Sequence, residues 1–122
     1  MTIDIDKAES VIHSILPKLV MLEGAINTKG EFLIFDSIVI NEAHTGDIDY
    51  VFKLYIAISS RIRNKRLAYQ PINDALTKLV DDWAENQQVE VGRSKPYSIK
   101  SKNLIVYEIA LTVKGFEHVE HC

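Results

Sequence analysis

The chain has 122 residues, 47% of them hydrophobic and 25% charged, with a net charge of -3. That length suits one domain with a modest core, covering ~65% of the surface its unfolded state exposes, and the slightly acidic balance excludes a globally basic nucleic-acid-binding protein while allowing a local basic patch. The single cysteine, Cys122, excludes an internal disulfide and fits a reducing compartment.

Residues 1–10 are acidic and lack the basic and apolar regions of a secretory leader. The apolar runs are too short to span a bilayer. The expectation is therefore a soluble protein made in the cytoplasm.

The first predicted element is a helix. Asp6 and Glu9 have capping-box spacing, and Ala8, Val11, Ile12, Ile15, Leu16, Leu19 and Val20 share one stripe. Pro17 interrupts that stripe, so the helix is expected to kink or restart there. The stripe reads as a face packed on a sheet, because the polar face is too acidic for an anionic membrane.

Residues 24–30 form a connection, with Asn27-Thr28-Lys29-Gly30 as a turn. Glu31–Ile40 is a strand rich in β-branched and aromatic residues, broken at Asp36-Ser37, where a bulge is expected. Asn41–Asp49 is polar, contains Gly46, and links two antiparallel strands as a hairpin loop. His44 lies there with Glu42, Asp47 and Asp49, but their spacing matches no known ligand set and reads as a solvated loop.

Tyr50–Ser60 alternates strictly: Tyr50, Phe52, Leu54, Ile56 and Ile58 form an apolar face, and the odd positions a mixed one. A basic loop follows, with Arg61, Arg63, Lys65 and Arg66. The next helix, 71–86, starts at Pro71, where a missing N–H costs nothing, and carries Ile72, Ala75, Leu76, Leu79, Val80, Trp83 and Ala84 along one stripe. Asp81, Asp82 and Glu85 lie late in this helix and oppose its macrodipole. They form a candidate contact for something cationic.

Gln88–Val91 is a short strand. Gly92–Asn103 is polar and basic, with Arg93, Lys95, Lys100 and Lys102, and is either a loop or an edge strand, since Pro96 tolerates only an edge. Leu104–Lys114 is a strong strand with Ile105, Tyr107, Ile109, Leu111 and Val113 on one face, and the tail 115–122 is expected to be flexible. The predicted order is α-β-β-α-β-β. This is a single α+β domain of two layers, a mainly antiparallel sheet with two helices on one face.

No hydrolase elbow, P-loop, dinucleotide-binding glycine pattern or zinc-protease motif occurs, so neither enzymatic activity nor a cofactor is expected. His13 reads as a surface or half-buried structural residue. His118, His121 and Cys122 are the only cluster of soft ligands, and they lack the second pair that a structural zinc site needs. The basic loop has two functional readings. It neutralises phosphates, or it meets an acidic surface such as Asp81, Asp82 and Glu85 of an adjacent copy. Protein contact is preferred, because the net charge is negative and Tyr69 is the one aromatic available for base stacking.

The stretches YVFKLYIAISSR, PINDALTKLVDDWAEN and NLIVYEIALTVKG, in this order of elements, resemble the tail terminator (tail completion) proteins of long-tailed bacteriophages. The resemblance is one of pattern and size. No residue motif maps position by position, and no functional residue is carried over. It implies a structural virion protein at the head-proximal end of the tail. Such a protein assembles as a homo-oligomer, a hexameric ring, and has a tail tube protein and a head completion or connector protein as partners. Arg61, Arg63, Lys65, Arg66, Arg93, Lys95, Asp81, Asp82 and Glu85 are the candidate interface residues. Specific nucleic-acid binding and membrane association are not expected. The alternative is a small stand-alone binding module, for protein or nucleic acid, using the basic 61–66 loop.

Overall fold

A computed structural model describes residues 3–41, 47–98 and 103–114. Helix α1, Ile5–Ile15, is capped two residues earlier than the sequence suggests. Asp4 is the N-cap, its carboxylate accepting the Lys7 N–H at 3.0 Å, while Asp6 sits in the first turn. The helix neither kinks nor restarts at Pro17. It stops at Ile15, because a residue preceding proline is pushed out of the helical region, and Leu16 leaves it at φ -120° with its N–H still bonded to Ile12 O at 3.0 Å. The Asp4 N–H also donates to the Tyr50 hydroxyl at 2.9 Å, which ties the helix start to the sheet.

The remaining elements are β1 (Val20–Met21), β2 (Gly30–Asn41), β3 (Asp47–Ser59), α2 (Lys65–Ala68), α3 (Gln70–Asn86), β4 (Val89–Tyr97) and β5 (Leu104–Lys114). The fold is α+β with one five-stranded sheet in the order β1-β2-β3-β5-β4. Both expected neighbour pairs are present and antiparallel, β2 with β3 and β4 with β5. The long β3 occupies the centre and pairs with β5 from Asp49↔Lys114 to Ser59↔Leu104. Only β1 is parallel to its neighbour, and its two residues are too short to show any periodicity.

The even face of β3 is the core. Tyr50, Phe52, Leu54, Ile56 and Ile58 are buried, and the register places Val113, Leu111 and Ile109 beside the first three. Helices α1 and α3 cover this face with Ala8, Ile12, Leu16, Ile72, Ala75 and Leu79. Burying each of the larger aliphatic side chains contributes about 1.5–3 kcal/mol. The stripe of α3 is narrower than its sequence implies. Val80 is 54% exposed and Ala84 is also exposed, because each follows a buried or half-buried position by 100° around the helix.

The bulge expected at Asp36 is present, between Phe35 and Ser37. A second lies in β4 between Val91 and Ser94. Here a Cβ on Gly92 would meet Ala110 Cβ at 3.2 Å and Ala110 O at 3.3 Å, so glycine permits the close approach. Past that bulge β4 continues to Tyr97, which corrects the four-residue strand 88–91 and resolves 92–97 as edge strand, with Pro96 on the outermost strand. The basic connection is also partly helical. Asn64 caps α2 by accepting from the Arg66 and Leu67 N–H groups at 3.0 and 3.4 Å. Helix α3 ends at Gln87, whose φ of 52° is left-handed, with its N–H on Trp83 O at 3.1 Å.

On the other face of the sheet, a small cluster of Tyr55, Ala57 and Val106 is partly covered by Leu22, Ile26 and Phe32. Beyond it, Ile34 and Val39 of β2 remain exposed. The 115–122 tail and the His44 loop with Glu42 lie outside the described residues, as do His118, His121, Cys122, Lys100 and Lys102.

Candidate interaction surfaces

The candidate residues fall into three separate places. The first is the connection from β3 to α3. Arg61 donates from Nε to Asn103 Oδ1 at 3.1 Å, and the neighbouring Ser60 N–H donates to Asn103 O at 2.9 Å. Arg61 is thus a strap between the end of β3 and the start of β5. Arg63, Lys65 and Arg66 are exposed, and among the described residues their charged groups have no hydrogen-bond or ion-pair partner. The Asn64 cap and buried Ala68 fix which side of α2 faces inward, which leaves Leu67 59% exposed among these cations and Ile62 41% exposed just before them. Apolar side chains interleaved with arginine are interface chemistry.

The second place is the far end of α3. Asp81 and Glu85 are exposed. Asp82 is half-buried; its Oδ1 accepts from Asn86 at 2.7 Å, and its Oδ2 is buried with no partner. A helix of 17 residues is roughly 25 Å long, several Debye lengths at physiological salt. The cations before α3 and the acids at its end therefore do not pair within one chain. The acids also carry the wrong sign for the C-terminal end of the α3 macrodipole, at a cost of about 0.3–1 kcal/mol for each charge placed in the last turn.

Arg93 and Lys95 occupy the third place, on β4, apart from both poles. Arg93 is exposed at the bulge. Lys95 reaches across to Glu108 of β5, 3.7 Å away, on the sheet face turned from the helices. There the Tyr55 hydroxyl donates to Glu108 Oε2 at 3.0 Å, and its ring lies 4.9 Å from that of Tyr97. Burial, followed by the hydrogen bond and negative charge of Glu108, raises the Tyr55 pKa. Lys53–Asp36 at 3.8 Å and Lys114–Asp49 at 3.5 Å continue the line of ion pairs on this face.

A groove of about 460 Å³, not foreseen in the sequence, opens beside the cationic pole. Its floor is Leu16, Ile56, Ile58 and Ala68, with Ile62 and Leu67 along it. Around it stand Lys18, Lys29 and Lys78 with the carboxylates Glu31 and Asp74. Asp74 accepts from Gln70 Nε2 at 2.7 Å. Burial raises the Glu31 pKa, with Lys78 and Lys18 pulling it back. The three lysines come from segments distant in sequence, so only the fold brings them together. The volume is within the range of ligand-binding clefts, and its chemistry is an apolar floor with a positive rim.

Among the described residues, no group of three His, Cys, Asp or Glu side chains is placed to hold a metal ion, and no helix is long and apolar enough to cross a membrane. No protein-family model and no curated protein sequence matches the chain.

Proposed function

We propose that the protein is a structural subunit of a long-tailed bacteriophage tail. In this reading it is a terminator that assembles head-to-tail into a ring, expected to be a hexamer, caps the tail tube and joins it to the head. The observation that carries the reading is the separation of charge along α3. Arg63, Lys65 and Arg66 stand before one end, and Asp81, Asp82 and Glu85 stand at the other. Unlike surfaces on one rigid body pair between neighbours as a heterologous interface, which closes into a ring when the rotation per subunit allows. Contact between poles would also set cations against the acids that oppose the α3 dipole. The element order and the two-layer α+β architecture add to this reading.

Light scattering across concentration and salt, with and without purified tail tubes, tests it. A ring in solution or on tube ends is expected. A chain that stays monomeric at high concentration and leaves tube ends free would overturn the reading.

A second reading has its own observation. Lys18, Lys29 and Lys78, with Glu31 and Asp74, surround the groove that Ile62 and Leu67 share with the cationic connection, so cations outnumber carboxylates at this end of the molecule. A stand-alone module binding a polyanion through that surface would show salt-sensitive binding to single- or double-stranded DNA. Binding unaffected by replacing Arg61, Arg63, Lys65 and Arg66 would remove it.

A further inference from the structure

We propose that the groove between the end of α1, α2, the start of α3 and the paired ends of β2 (Gly30, Glu31) and β3 (56–59) receives residues 116–120 of a second copy of this chain. Phe116 and Val119 would lie on the apolar floor, with Glu117 and Glu120 against Lys18, Lys29 and Lys78. The inference rests on the head-to-tail association proposed above, but not on the ring's size or on a phage tail.

The groove asks for an occupant with apolar side chains and negative charge. Its floor is aliphatic, and three lysines stand against two carboxylates, Glu31 and Asp74, which leaves the rim one positive charge in excess. Four multi-residue segments lie outside the described residues, and residues 1–2, Met-Thr, carry no negative side chain. Residues 99–102 are Ile-Lys-Ser-Lys, of the same charge as the rim. Residues 42–46 are Glu-Ala-His-Thr-Gly, with no large apolar side chain. Residues 115–120 are Gly-Phe-Glu-His-Val-Glu, which hold two apolar–acidic pairs, Phe116-Glu117 and Val119-Glu120. Only the last matches both requirements.

Reach excludes the chain's own groove. Lys114 pairs with Asp49, whereas the groove residues Ile56–Ser59 pair with Tyr107–Leu104. The groove thus lies roughly 24–34 Å from Lys114 along β5. Phe116 extends at most ~7 Å beyond Lys114, and Glu120 ~20 Å. The end of β5 lies beside the acidic end of α3, where Lys114 N–H donates to Gln88 O at 2.8 Å. A neighbour that brings its acidic pole to this cationic pole therefore brings its 116–120 segment toward this groove.

Cys122 is the only cysteine, so it accepts a single photo-crosslinker without any substitution. Full-length chains labelled there with benzophenone maleimide are mixed as ¹⁵N and ¹⁴N populations, irradiated and mapped by mass spectrometry. The expected result is ¹⁵N–¹⁴N cross-links at or beside the groove lining, within 16–18, 29–31 and 67–78. Their yield should fall at least ~10-fold in Lys18→Glu/Lys78→Glu and in Phe116→Ala. Both lysines are exposed but face Glu31, so the neutral Lys18→Gln/Lys78→Gln is measured beside the reversal and should also lower the yield, and circular dichroism verifies the fold of each. Cross-links absent, confined within one chain, directed elsewhere, or indifferent to the charge reversal overturn the proposal. The oligomer mass of the same samples separates the two readings. A ring whose cross-links miss the groove sinks the tail contact alone. Inter-chain cross-links in the groove without any ring, in solution or on tubes, sink the ring alone.

Discussion

Tyr55 and Glu108 face each other in the β3–β5 register and share a 3.0 Å hydrogen bond on the sheet face opposite the helices. Glu108 is the one buried charged residue among those described, and Lys95 supplies its counter-charge from the edge strand. Tyr55→Phe removes the donor and leaves the carboxylate short of a partner. We expect a loss of about 1–3 kcal/mol in urea unfolding at neutral pH. A smaller loss for Glu108→Gln, which keeps an acceptor, is the matching control.

The same pair sets an alkaline limit. The folded pKa of Tyr55 is raised above its unfolded value near 10. The folded state therefore holds this proton longer, and its contribution is complete below pH ~10 and lost as pH rises toward the folded value. Unfolding midpoints measured upward from pH 9 should decline, and Tyr55→Phe should flatten that decline.

Glu31 follows the same sign in a more acidic window. Burial raises its folded pKa, so the ionised form at neutral pH is a cost, and the contribution from protonation disappears as pH rises from ~4.5 through the folded value. Glu31→Gln should raise stability at pH 7 relative to the parent, with the difference shrinking below pH 4. A stability loss at pH 7 would show that Lys78 and Lys18 outweigh burial.

The four cations of the connection should separate by role. Arg61→Ala loses the strap to Asn103 and is expected to cost about 0.5–1.5 kcal/mol in thermal or urea unfolding. Arg63→Glu/Lys65→Glu/Arg66→Glu should leave stability within ~0.5 kcal/mol and weaken self-association at least ~10-fold. Mixing that variant with Asp81→Lys/Glu85→Lys should restore mixed oligomers, which sedimentation velocity reads directly.

Leu54→Ala empties a fully buried site at the centre of the sheet and should cost about 2–5 kcal/mol. Gly92→Val forces the β4 bulge away from Ala110 and should cost about 1–3 kcal/mol, with the loss of β4 protection visible in hydrogen exchange.

Much of the architecture was readable in the chain. The period-2 face of Tyr50–Ile58, the break at Asp36-Ser37 and Pro71 at the head of α3 each follow from local chemistry that the packing does not override. The second half of β4 was harder to read, because the one extra residue at Gly92-Arg93 shifts the alternation and hides a strand inside a polar stretch. The candidate surfaces were legible only in part. Contiguous groups such as Arg63, Lys65 and Arg66 stand out in sequence. The Tyr55–Glu108–Lys95 contact and the Lys18, Lys29 and Lys78 rim come from strand register and helix placement, which composition does not carry.

The outer strand β4 has its own bearing on how copies meet. Its bulge, Lys95 and Pro96 make its free edge a poor template for another strand. Along β2, past the two residues of β1, the edge is more apolar, with Ile34, Val39 and Ile40 exposed. Strand-to-strand pairing is thus open on one side and guarded on the other. Two copies joined through β2 would present only guarded edges outward, so this route stops at a pair and does not propagate into a cross-β fibre.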